Sequence, residues 1–81
     1  MKGHSSGISS VSFSPDGMQI LTGSYDGLAI IWDSKTGSNI GEPFKGHTKA
    51  ISSVCFSPDG KRIVTGSHDG LAKIWDIKSR T

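Results

Sequence analysis

Apolar positions along this chain come in short runs, each closed within a few residues by proline, aspartate or glycine. Over 8–13, ISSVSF, the residues Ile8, Val11 and Phe13 are interleaved with serines, and the run ends on Ser14-Pro15-Asp16-Gly17. There the proline presets φ for a turn and the glycine supplies a positive φ. A second run over 18–24 ends at Tyr25-Asp26-Gly27, an Asp-Gly hairpin signal, and a third over 28–32 stops at the loop Lys35-Thr36-Gly37. These are predicted strands a, b and c. A fourth, d, over 38–44 (SNIGEPF) is poor in β-formers and carries Pro43, which suits an outer edge better than a central position.

The pattern then begins again. Laying Gly3 on Gly46 brings His4 onto His47, Phe13 onto Phe56, Pro15 onto Pro58, Asp26 onto Asp69 and Trp32 onto Trp75 without a gap. The period is about 43 residues, in the range of propeller blades. The second unit repeats a from Ile51, b from Lys61 and c from Leu71, and stops at Thr81, where d should begin. The expected organisation is therefore a-b-c-d-a-b-c, with units 1–45 and 46–81 and no outermost strand in the second. A strand c without that neighbour shows N–H and C=O groups that water or another chain must satisfy.

Several features recur in register in both units: Gly-His at the head, Ser-Pro-Asp-Gly in the middle, a Gly-Ser-x-Asp-Gly turn, and Ile-Trp-Asp at the end. In these the chain resembles the WD-repeat class of β-propellers, over nearly its whole length. The resemblance implies an all-β fold of two blades and a non-enzymatic scaffold for protein–protein interaction. It also implies a hydrogen-bonded set in each unit, carried over by position as His4, Thr22, Asp26, Trp32 and His47, Thr65, Asp69, Trp75. Each group has a natural partner, the indole N–H donating to the hydroxyl, the hydroxyl to one imidazole nitrogen, and the other nitrogen to the carboxylate. Hydroxyl, imidazole and carboxylate also make up hydrolytic triads, but catalysis needs an exposed nucleophile, an oxyanion hole and a cleft, and the sequence hints at none. The resemblance places partner contacts on the d–a and b–c loops. Those places hold Ser5, Gly7 and Tyr25 in the first unit, and Thr48, Ala50 and His68 in the second, with Lys49 close by; Tyr25 and His68 have the side chains that anchor interfaces.

Composition narrows the picture. With 33% apolar residues and 11 glycines the chain reads as turn-rich and all-β, and its net charge of +2 comes from scattered Lys and Arg rather than a basic stripe. Nucleic acid is not an expected partner, and neither is a membrane, since no apolar stretch is long enough to cross one. The single cysteine, Cys55, forms no internal disulfide, and no signal peptide is visible, which points to an intracellular, cytoplasmic setting. Cys55 stands where the first unit has Ser12 and is expected to be a small buried thiol. The histidines lack zinc-ligand spacing and no glycine-rich stretch matches a phosphate loop, so neither metal nor cofactor is expected.

Assembly is the remaining expectation. Apolar residues of both parities, such as Ile20 and Leu21 or Ile30 and Ile31, give each blade two faces to bury, and two blades bury only one interface. Repeat folds need at least three units and propellers close at roughly four to eight blades. Either identical copies join head to tail, four being favoured over three, or the chain is an excised fragment of a larger WD-repeat signalling protein. A rival function from another class is a multivalent ligand- or sugar-binding ring, for which Tyr25 is the one aromatic platform and has no counterpart in the second unit.

Overall fold

A computed structural model describes residue 4 and residues 6–80 of the chain, so that Ser5, one of the candidate loop residues, lies outside the described residues. Among the described residues, six strands form two three-stranded antiparallel sheets. The first contains β1 (Ile8–Phe13), β2 (Gln19–Ser24) and β3 (Ala29–Asp33), and the second β4 (Ile51–Phe56), β5 (Arg62–Ser67) and β6 (Ala72–Asp76).

Local chemistry sets the strand ends. In the turn after β1, the Asp16 carboxylate accepts the Ser14 hydroxyl at 2.5 Å and the Met18 N–H at 2.9 Å, so β2 starts one residue later than the apolar run suggests. The b–c turn works in the same way. Asp26 accepts the Leu28 N–H at 2.9 Å, leaving Ala29 as the first free strand residue, while Gly27 takes φ 83 where a side chain would be strained. The second unit repeats both turns with Asp59 and Asp69.

Each inner strand carries a register shift, between Ile8 and Ser10 in β1 and between Ile51 and Ser53 in β4. The extra residue brings Ile8 and Val11, three apart in sequence, onto one face, and does the same for Ile51 and Val54. The two sheets pack face to face. Leu21, Ala29 and Ile31 of the first meet Ile51, Val54, Phe56 and Ile63 of the second in a buried cluster with Phe44, and Ile40, Trp75 and Ile77 pack against its margin.

The expected seventh strand is not formed. Residues 38–44 touch β3 only through two isolated bridges, Trp32 with Asn39 and Ala29 with Phe44. Gly41 has φ 71, which breaks the pleat, and Pro43 has no N–H for a ladder. The segment still follows β3 as an outer strip: Ile40 N–H donates to Ile31 C=O at 2.7 Å and Phe44 N–H to Ala29 C=O at 2.7 Å.

Cys55 departs from expectation as well. It is exposed, because it lies opposite Val64, itself opposite Ile74, on the face of the second sheet turned away from the first.

Candidate functional site

In the first unit, β2 and β3 set Thr22 and Trp32 on one face, and the hairpin turn carries Asp26 to the end of that face where His4 arrives. Trp32 Nε1–H donates to Thr22 Oγ1 at 2.7 Å, Thr22 Oγ1 lies 2.7 Å from His4 Nε2, and His4 Nδ1 lies 3.2 Å from Asp26 Oδ2. The second unit has the same chain of contacts: Trp75 Nε1–H to Thr65 Oγ1 at 3.0 Å, Thr65 Oγ1 to His47 Nε2 at 2.7 Å, and His47 Nδ1 to Asp69 Oδ2 at 2.9 Å. An indole can only donate and a carboxylate can only accept, so the protons run in one direction, from Trp to Thr to His to Asp.

The order of atoms is that of a hydrolytic triad, but the access is not. Thr22 is 0% and Thr65 1% exposed, and each hydroxyl already accepts an indole N–H, so no substrate carbonyl can reach either oxygen. Among the described residues no buried side-chain nitrogen or oxygen lacks a hydrogen-bond partner, and no group of three or more His, Cys, Asp and Glu converges on a common point.

Electrostatics at Asp69 result from opposing terms. Burial pushes its carboxyl up, but the Leu71 N–H, the His47 ring and the Thr48 N–H outweigh that and bring it down to about 2. The turn aspartates Asp16 and Asp59 are also lowered, chiefly by the hydroxyls of Ser14 and Ser57.

The candidate loop residues gather at the end of the sheets that holds these turns. Tyr25 is exposed, its ring over Gly7, and its N–H donates to Gly7 C=O at 3.0 Å. Next to it, Gly27 fits closely against the carbonyls of His47 and Lys49, so the first b–c turn abuts the loop carrying Thr48 and Lys49. His68 is exposed on the corresponding turn of the second unit, where its N–H donates to Ala50 C=O at 3.0 Å. The structure therefore joins Tyr25's turn to the Thr48–Lys49 loop, and puts His68 on the neighbouring turn.

Other residues at the joint between the sheets had drawn no functional reading. Ser9 Oγ donates to Ile51 C=O, and Ser10 Oγ accepts the Val54 N–H at 3.3 Å. Gly23 is required beneath them, since a Cβ there would stand 2.5 Å from Ile51 Cγ2 and 2.7 Å from Val54 Cγ1. The available signals were the Ile-Ser-Ser-Val spacing of three, which is not a strand period, and a glycine inside strand b in both units.

The outward faces are apolar. Val11 is 61% and Phe13 64% exposed on the first sheet, and Ile74 66% on the second. The family model for the WD domain, G-beta repeat, matches residues 1–33 and 37–76.

Proposed function

The chain belongs to the WD-repeat family, and from that premise we propose that it is a non-enzymatic scaffold for protein–protein interaction whose copies join head to tail into a closed propeller. WD repeats generally serve as scaffolds of this kind. The observation that carries the reading is the pair of outward apolar faces, with Val11, Phe13 and Ile74 each more than half exposed. Burying such surface yields about 25 cal/mol per Å² of apolar area, which a monomer would forgo.

Two blades per chain restrict a ring of identical copies to an even number of blades. The family's common seven-blade ring turns about 51° per blade, closer to the roughly 45° of eight blades than to the roughly 60° of six. Four copies are therefore proposed ahead of three. In this reading the two His-Thr-Asp-Trp sets hold the hairpins together and do no chemistry, and the exposed Tyr25 and His68, with Thr48, Lys49 and Ser5, form the partner face. A reducing cytoplasmic setting goes with it.

Light scattering coupled to size exclusion over a dilution series tests the proposal. A mass of four chains that persists on dilution is expected. A folded single chain at all concentrations would overturn self-assembly and point to a piece of a longer propeller.

A further inference from the structure

We infer that the outward face of the second sheet is a socket for the first sheet of another copy, in the register of the joint that the chain already forms with itself. The inference rests on the self-assembly reading above and specifies how two copies would meet.

The joint within the chain has a donor side and an acceptor side. On the first sheet, the acceptor side offers Gly23 as a hole, Leu21 and Ile31 as walls, and the hydroxyls of Ser9 and Ser10 as polar contacts. On the second sheet, the donor side puts Ile51 and Val54 into that hole and Phe56 and Ile63 onto the walls. Each of these residues has a counterpart one unit away, and each counterpart lies on a face that is uncovered in the single chain.

The acceptor counterparts are Gly66 for Gly23, Val64 for Leu21 and Ile74 for Ile31, with Ser52 and Ser53 for the two serines. Around Gly66 the space is open: the nearest atom to an added Cβ is Ser52 Oγ at 3.9 Å, against 2.5 Å at Gly23. Beside it is a hollow of about 400 Å³ lined by Val64, Ile74, Pro58 and Arg62, among others. Ser52 Oγ already donates to Gly66 C=O at 3.2 Å, as Ser9 Oγ does to Gly23 C=O at 3.2 Å. The donor counterparts are Ile8, Val11 and Phe13, which are 44%, 61% and 64% exposed.

Knob and hole are thus present on opposite ends of the same chain. Transferring the internal register puts Ile8 and Val11 of one copy over Gly66 of the next, and Phe13 against Val64 and Ile74. Ser52 would donate to the neighbouring Ile8 C=O, and Ser53 would accept the neighbouring Val11 N–H. Cys55, now exposed, would become half-buried, as its counterpart Ser12 is in the joint within the chain.

Two variants test this, because each spoils one end and leaves the other intact. Gly66→Val fills the hole, where the backbone allows any side chain, and Val11→Asp spoils the knob. Light scattering should find the wild type as a multi-chain ring and each variant alone as a single chain. An equimolar mixture should give a two-chain species, since only Gly66→Val keeps a sound knob and only Val11→Asp a sound hole. Recovery of mass on mixing also shows that both variants are folded. Alkylation of Cys55 by iodoacetamide should be slower in the wild-type ring than in the single chain of Val11→Asp. A wild type that assembles while Gly66→Val assembles equally, or whose Cys55 is alkylated as fast in the ring as in the single chain, would overturn the register and leave self-assembly standing. A wild type that is a single chain at every concentration would overturn both.

Discussion

Replacing Thr22 with valine removes one hydroxyl from the centre of the first His-Thr-Asp-Trp set and alters the shape of the site very little. Two buried groups then lose their partner, the Trp32 Nε1–H and the His4 Nε2, both now 2.7 Å from Thr22 Oγ1. Leaving a buried polar group unsatisfied costs about 1–3 kcal/mol, so the pair costs about 2–6 kcal/mol. The added methyl returns roughly 0.8 kcal/mol of apolar burial. A net loss of about 3 kcal/mol is expected, and for a domain of this size each kcal/mol corresponds to about 4–8 °C in Tm, so melting should fall by 10 °C or more. Urea unfolding followed by far-UV circular dichroism at fixed chain concentration measures it. The partner test is a double-mutant cycle with Trp32→Phe, which removes the indole N–H beforehand. The two losses should then sum to more than the double mutant shows, by about 1 kcal/mol or more. A Thr22→Val protein as stable as the parent would refute the reasoning, since an unneeded buried hydroxyl is neutral or favourable to replace. Additive losses would refute it too.

Asp69→Asn should show its cost as a function of pH. The folded carboxyl titrates at about 2 and the unfolded one near 3.8, so the stability due to the ionised form is fully present above 3.8 and is lost as pH falls through about 2. The Tm difference between parent and variant should be largest near neutrality and shrink over that acid window; a gap constant down to pH 2 would contradict it. Gly23→Ala should destabilise by about 1–3 kcal/mol, because the new methyl meets the stiff, branched side chains of Ile51 and Val54, and unchanged denaturant midpoints would show that the sheets slide freely. Replacing both Tyr25 and His68 with alanine should leave melting within about 0.5 kcal/mol, as both are exposed, and should abolish capture of any protein partner identified for the chain; undiminished capture would move the partner face elsewhere.

Much of the fold was legible because the signals are local. Ser-Pro-Asp-Gly and the Asp-Gly hairpins place their own turns, so the six strands lie within a residue of where the alternation puts their starts and ends. Strand d was half legible: Pro43 and the poverty of β-formers mark an outer position, which 38–44 keeps, but the left-handed conformation of Gly41 that interrupts its pairing does not show in the apolar pattern. Nor did simple alternation reveal that Ile8 and Val11 share a face, since that depends on a bulge that only pairing with β2 defines. A small thiol in a strand suggests burial, but burial belongs to a face and not to a strand, and among the described residues nothing covers the face that carries Cys55. The His-Thr-Asp-Trp sets were visible through the family resemblance, at separations of up to 22 residues that no local rule links.

Phe44 lies near the end of the first unit, and its backbone is bonded to Ala29 in the first sheet. Its ring belongs elsewhere: it meets Trp75 edge-on at 5.5 Å, and Arg80 stacks over it at 4.5 Å while donating to the carbonyls of Ile40 and Glu42 at 3.0 Å. Arg80 occupies the place of Gly37 with φ 64, a left-handed conformation that arginine adopts at some cost and that is held here by this clasp. The genetic repeat and the cooperative unit are therefore out of phase. A cut at the 45/46 boundary would separate a ring from its stacking partners and leave Phe44 bare on one half and Trp75 on the other. Any duplication, swap or fusion of these repeats that keeps a stable product should break the chain inside a blade, leaving 38–44 attached to the sheet that follows it.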